Sequence, residues 1–504
     1  MIFDETFRYI PAGPRQESVT KVLIIRILAQ FSLRQGFAIV LLAQSSTIGG
    51  LMKVFCTLAA LIVVAFASAA EPGESYRIPL EYHKLDNGLK VVLAPDHTAP
   101  TVTVAVYYNI GFRIEPKTRT GFAHLFEHMM FQGSGNLGKM EFVKLVQKNG
   151  GNFNGSTRFD FTNYFEMVPV HKLETMLWAE ADRMRGLAIN QDNLTNQQGV
   201  VKNEVKVNVI NQPYGGFPWI DMPMRANTNW YNAHNFYGDL EHLDAATLED
   251  VQAFFKTYYA PNNAVVVLVG DIEPKEALAM VKKYFSSIPA SNLPPKADIT
   301  EPRQEQEKNF SKQDTLAFRP ALAFAYHVPD RWSPEYFAMG VIDQILAQGD
   351  DSRFRDALVK KRGYAVGVSS GINFGLGNMY NYNGPMLWVT SLIHDPSSKP
   401  DSIIADVDAI VEDLRTNKVD QKSVDRALVK LRSQLFNIYS QTAGLGKADL
   451  LACFALFDDD PNRINTIEDE FKKVTPDLVQ KTAQEYLRRS NRTVLVVEPK
   501  SSAK

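Results

Sequence analysis

Cysteine is nearly absent from the 504 residues. Cys56 and Cys453 are the only two, so neither a disulfide framework nor a zinc site built from several thiolates is available. An excess of charge of one sign is also missing. Lys+Arg number 54 against Asp+Glu 56, a formal charge of −2, and no basic surplus proposes nucleic acid or an anionic membrane surface as partner. Nor is there compositional bias: 45% hydrophobic and 22% charged residues, with 30 Gly and 26 Pro, exclude disordered, collagen-like and multi-span membrane classes. What remains is an ordinary globular composition on a chain too long for one compact core.

Its start reads as something other than fold. Met52 and Lys53 precede an apolar stretch over 54–66 that ends in Ala67-Ser68-Ala69-Ala70. A short cationic start, an apolar centre and a small-residue cleavage site make a signal peptide at 52–70, cut after Ala69 or Ala70. The stretch is shorter than the ~20 residues of a membrane span, so a periplasmic or secreted protein with no stable span after cleavage is expected. Residues 1–51 then read as an extension upstream of the true start at Met52. Cys453, among Leu450, Leu451, Ala452 and Phe454, reads as a buried, inert thiol.

Slid along itself by 228 residues, the sequence aligns 247–270 with 475–498 without a gap. Seven positions are identical: Thr247/Thr475, Val251/Val479, Gln252/Gln480, Tyr258/Tyr486, Asn263/Asn491, Val266/Val494 and Val269/Val497. Both copies read as a helix, a turn and a β-branched strand. The expected fold is therefore α+β, a tandem repeat of two homologous domains at about 75–288 and 315–500, each a mostly antiparallel sheet covered by helices. A Pro-, Lys-, Glu- and Gln-rich linker at 289–314 joins them. Strands are expected at 88–94 and 101–107, helices from about Gly121 and over 171–185, and one exposed or edge strand over 152–169.

The chemistry concentrates in Gly121-Phe122-Ala123-His124-Leu125-Phe126-Glu127-His128-Met129-Met130-Phe131. On a helical wheel His124, Glu127 and His128 share an arc of about 100°, and apolar residues fill the rest. A helix buried nearly all round carries two imidazoles and a carboxylate on one stripe only if something offsets their desolvation, and a bound cation does so. His124 and His128, one turn apart, suit two ligands of one Zn²⁺, and Glu127 stands beside them to take a proton from a water. Bare histidine pairs at this spacing also occur as satisfied core or surface residues; the glutamate and the apolar remainder favour the metal. A third ligand must come from elsewhere. Glu166, Glu174, Glu180, Asp182 and Glu204 are the candidates, and the wheel over 199–210 favours Glu204, set between Val200, Val201 and Val207 with Lys202 and Lys206 opposite.

These residues resemble the pitrilysin/insulinase family of zinc peptidases, the inverzincins, whose signature is H-x-x-E-H. The resemblance spans nearly the whole chain after residue 70 and points to the short, processing-peptidase-like members. It implies one zinc per chain, His124 and His128 as ligands, Glu127 as general base, and a third ligand 76 residues beyond His128, where Glu204 stands. It also implies that 150–157 form the substrate-binding edge strand, with Asn154 and Gly155 pairing an extended peptide. Two departures matter. Gln197 stands where many members have a second glutamate, and Val359 and Val366 stand where an Arg and a Tyr, seven apart, hold the substrate carbonyl; Tyr364 fits only in a register that puts Ala357 in place of the Arg. The expectation is an exported zinc endopeptidase for short or unfolded peptides, with a homologous second subunit supplying Arg and Tyr. The alternative is a non-catalytic peptide-binding or scaffold subunit. In the second domain Met339, Ile342 and Asp343 fall at the positions of the motif and bind no zinc. The remaining histidines read as structural or exposed, and Asp458-Asp459-Asp460 as a solvated turn.

Overall fold

The structure, a computed structural model, describes residues 76–441 and 444–500. The expected leader at 52–70, the extension at 1–51 and Cys56 lie outside the described residues. The described residues from 77 onward form one compact unit built on two sheets.

The first sheet has six strands: β1 (Glu81–Lys84), β2 (Lys90–Pro95), β3 (Thr101–Tyr108), β4 (Asn152–Thr157), β5 (Thr162–Pro169) and β6 (Ala264–Gly270), in the order β1-β2-β6-β3-β5-β4. The second has five: β7 (Lys308–Asp314), β8 (Ala321–His327), β9 (Ser369–Ile372), β10 (Leu387–Ile393) and β11 (Arg492–Pro499), in the order β7-β11-β8-β10-β9. Apart from the parallel pairs β2–β6 and β7–β11, every ladder is antiparallel. The two orders coincide once β1 is set aside, so the second sheet repeats the first. β6 and β11 lie inside their sheets, which is why both read as apolar runs: Val265, Val266, Val267 and Leu268 are fully buried.

The helices that position the site and join the halves are α1 (Phe122–Met129), α2 (Leu173–Arg185), α3 (Gln191–Val205), α4 (Asp221–Ala226), α5 (Leu248–Tyr258), α6 (Pro334–Leu346), α7 (Leu445–Asp458) and α8 (Pro476–Tyr486). α5 and α8, with the strands after them, carry the 228-residue repeat. One face of the first sheet is covered by α1, α2 and α5 through Phe122, Leu125, Phe126, Met176, Leu177 and Val251. Its other face is covered from the second half of the chain, by Leu450, Leu451 and Phe454 of α7. The exchange is reciprocal: Met222 and Ala226 of α4 lie on Ala321, Ala323, Leu387 and Leu495 of the second sheet. Each half thus completes the core of the other.

Three local readings need correction. The expected linker at 289–314 ends early, because its last seven residues, Lys308–Asp314, are β7, which lies along β11 in the second sheet. Residues 152–169 are a hairpin rather than one strand: the chain turns at 158–161, β4 is the outer strand and β5 an inner one. Aromatic alternation continues through the turn, since Phe159 and Phe161 are buried there, and this hid the break. The Asp458–Asp460 run is not solvated throughout. Asp458 is nearly buried and pairs with Arg331 at 3.0 Å, and Asp459 pairs with Lys84 and, at 3.5 Å, Lys90 of the first sheet.

Candidate metal centre

α1 starts where a buried carboxylate meets its free N–H groups. Glu115, 1% exposed, accepts from the backbone of Gly121 (2.8 Å) and Ala123 (2.6 Å), satisfying donors that the first turn leaves open. Gly121 adopts φ +87°, and a Cβ on Gly238 would stand 2.5 Å from its N and Cα. Only two glycines allow these backbones to touch, and the contact carries the neighbouring loop over α1. The loop is tied again where Asp239 N–H donates to Thr120 Oγ1 at 3.0 Å.

The apolar side of α1 is buried, as its pattern requires: Phe122, Leu125, Phe126 and Met129 are at most 1% exposed. The opposite stripe faces α3. There His124 Nε2 lies 3.5 Å from Glu204 Oε1, and His128 Nε2 3.1 Å from Glu204 Oε2. Among the described residues this trio is the group of His, Cys, Asp or Glu side chains able to share an ion, its ligand atoms all within 4.8 Å of one another. Hydrogen bonding to His124 and His128 holds the Glu204 carboxyl well below the usual carboxylate range. Ligands at ~2.0–2.1 Å on a tetrahedral ion lie about 3.3 Å apart, and the two imidazole–carboxylate distances bracket that figure. The three side chains therefore fit a zinc ion. His124 is nearly buried, and its other ring nitrogen, Nδ1, has no hydrogen-bond partner among the described residues.

Glu204 reaches this place on grounds that differ in part from the wheel. Val201 is buried, but Val200 and Val207 are 42% and 46% exposed, so the carboxylate stands at the edge of the buried stripe rather than in its middle. The other acids are committed elsewhere. Glu166 and Glu180 are buried around Arg183, Glu174 pairs with Lys283 at 2.7 Å on the surface, and Asp182 accepts from Ser134 and Asn136. Gln197 is buried on α3 and donates to Asn196 Oδ1 at 2.7 Å.

Glu127 points toward β4. Its Oε2 accepts from Thr157 Oγ1 at 2.7 Å, and a Cβ on Gly155 would approach its Cγ to 3.3 Å. β4 is the outermost strand, paired only with β5 among the described residues, so one edge of it is open. Asn154 bends over that edge, its Oδ1 accepting from Gly155 N–H at 2.9 Å. Sequence reasoning missed Glu115, Thr157 and Tyr237, whose ring packs edge-on against His124 at 5.0 Å. Thr157 alone left a signal: strand alternation puts it on the same face as Gly155.

Among the described residues the second domain shows no counterpart of this cluster. Met339 and Ile342 on α6 are core residues, and Asp343 accepts from Trp388 Nε1 (2.6 Å) and Ser370 Oγ (2.7 Å), its carboxyl pushed up by burial. Val366 is 86% exposed, and the Tyr364 hydroxyl is tied to Asp406 at 2.9 Å, so neither register of this region offers a free phenol.

Residues 90–214 match the family described as Insulinase (Peptidase family M16), and residues 245–431 the one described as Peptidase M16 inactive domain. His124, Glu127, His128 and Glu204 all fall in the first match. The chain is 25% identical over 447 residues to the zinc protease PqqE of Helicobacter pylori, covering 87% of this chain and 97% of that one. A crystal structure of a protease from Helicobacter pylori shares its fold with a TM-score of 0.75 at 24% identity, over 84% of this chain and all of that one. The periplasmic protease PqqL from Escherichia coli does so with a TM-score of 0.66 at 17% identity, over 84% of this chain and 48% of that one. With two matches from one family in sequential order, a shared two-sheet fold and an H-x-x-E-H helix, the chain belongs to the insulinase (M16) family of peptidases.

Proposed function

We propose that this chain is an exported zinc metalloendopeptidase that hydrolyses short or unfolded peptides, and that it works as the zinc-bearing subunit of a heterodimer. The observation that carries the reading is the convergence of His124, His128 and Glu204 beside Glu127 and an open strand edge. His124, His128 and Glu204 would hold a zinc ion, which would supply Lewis acidity for a peptide carbonyl and a water. β4 aligns the substrate by main-chain pairing, which only an extended segment can satisfy. An incoming strand displaces Asn154 Oδ1 to reach the Gly155 N–H. Thr157 fixes Glu127 Oε2, leaving Oε1 to take a proton from the attacking water and return it to the leaving amine.

Two features support a partner. Arg and Tyr are missing from positions 359 and 366, and Tyr364 is engaged on the surface by Asp406. Export is supported by the leader-like segment at 52–70 and by the periplasmic relative in Escherichia coli. No helix among the described residues is long and apolar enough to cross a membrane.

Purified protein should hold one zinc per chain, and Glu127→Gln should keep the metal while slowing cleavage of a quenched extended peptide by about 10²–10⁴-fold. Metal-free protein that still binds peptides would instead favour a scaffold subunit, the reading to which the missing Arg and Tyr lend weight. Full turnover by the chain alone would overturn the heterodimer, and a mature terminus well before Met52 would overturn the assigned leader.

A further inference from the structure

One polar group at the border of the centre is held firmly and used for nothing. The Tyr237 ring packs edge-on against His124, centroids 5.0 Å apart, and Trp219 closes on it at 5.5 Å. The adjoining backbone is pinned by the Gly121–Gly238 contact and by Asp239 on Thr120. Among the described residues no hydrogen bond uses its hydroxyl, although its backbone N–H donates to Asn235 Oδ1. The phenol is only half-buried. A phenylalanine would pack as well here; the hydroxyl is the part left to account for.

We infer that Tyr237 is a catalytic residue of this chain: held against His124 by Trp219 and the two glycines, its free hydroxyl donates a hydrogen bond to the carbonyl oxygen of the scissile peptide as that oxygen gains negative charge. The proton stays on the phenol, and no bond to tyrosine forms or breaks. The inference rests on the peptidase reading and adds to it a donor that this chain brings without its partner. Glu127 and Tyr237 border the centre from different elements, one fixed by β4 and the other by the loop over α1. A peptide laid on β4 thus meets a base and a donor on separate supports, and a fixed donor aimed at developing charge acts mainly on the reaction barrier.

The test compares zinc-loaded wild type with Tyr237→Phe. Expected are one zinc per chain and an unchanged unfolding midpoint in both, kcat for a quenched peptide about 10- to 100-fold lower in the variant, and KM little changed. By calorimetry a phosphinic peptide, which mimics the tetrahedral centre, should bind the variant about 10- to 100-fold more weakly. The uncleaved parent peptide, measured in an Glu127→Gln background, should bind equally with Tyr or Phe at 237. Wild-type kcat and wild-type phosphinic affinity in Tyr237→Phe would overturn the inference. So would loss of zinc from the variant, which would make Tyr237 a support for His124, and so would equal weakening of both peptides, which would make it a ground-state contact. A wild-type chain that takes up no zinc and binds no phosphinic peptide would instead refute the peptidase reading itself.

Discussion

Thr157 shows how much a single side chain decides. Its hydroxyl is the donor that fixes Glu127, and a hydrogen bond to a carboxylate contributes about 1.5–3 kcal/mol. Thr157→Val should therefore lower kcat about tenfold or more at unchanged zinc content, and Thr157→Ser should restore it; steady-state kinetics with metal analysis checks both. Gly155 works by absence. Any side chain there presses on Glu127 Cγ, so Gly155→Val should slow turnover more than it lowers the unfolding midpoint, and a variant that unfolds early with normal turnover per folded molecule would contradict this. At this scale the sequence is legible where the arrangement is local. His124, Glu127 and His128 lie within five positions, and helical spacing alone brings them to one stripe. Tyr237 and Glu115 were illegible because each acts through a contact that loops make only once the chain is folded.

Among the elements, α1 depends on its first turn. Glu115 carries two N–H groups in a place closed to water, and His234, stacked on Trp230 at 4.2 Å, stands 3.7 Å from it. Hydrogen bonds to a charged acceptor are worth about 1.5–3 kcal/mol each, and removing one partner strands the other. Glu115→Ala should cost at least that much stability and weaken zinc binding about tenfold, as competition with a chelator would measure; unaltered zinc affinity would show that the cap serves the fold alone. The helix wheel identified α3 but misjudged its faces, because a 3.6-residue period says which residues share a stripe and not how far burial extends around it. The strand reading failed at 158–161 for a related reason: the turn is itself buried, so composition did not mark it.

For the whole molecule, the repeat was written in the sequence as an offset, and α5, β6, α8 and β11 stand where that offset puts them. What it could not show is the exchange of α4 and α7: a largely apolar helix such as α7 announces burial without naming its neighbour, and α4, six residues long, is too short to display a period. The Asp458–Asp460 run was misread on the same account, for Asp459 meets Tyr82 and Lys84 across more than 370 residues of chain. This clasp between the halves has a pH signature. Burial pushes the Asp459 carboxyl up, but hydrogen bonds from Lys84 and Tyr82 and the charges of Lys90 and Lys84 outweigh it and hold the group at about 2, below the ordinary 3.8. Between those values the unfolded chain binds the proton and the folded one does not. The contribution is therefore full above pH about 4 and lost as pH falls toward 2. Because the carboxylate is 50% exposed, water screens the pair and the effect stays under about 1 kcal/mol. Urea midpoints of Asp459→Asn and wild type should differ at pH 7 and converge in acid; a constant gap would assign the loss to something other than charge.

The seating of α7 has a practical corollary. Cys453, the free cysteine of the described residues, lies inside the core that both halves share, and burial, reinforced by the Asp449 charge, pushes its thiol well above the ordinary range. A maleimide dye can reach it only when α7 lifts from the first sheet. The speed of alkylation in native buffer then becomes a clock for the parting of the two halves, readable without any engineered label.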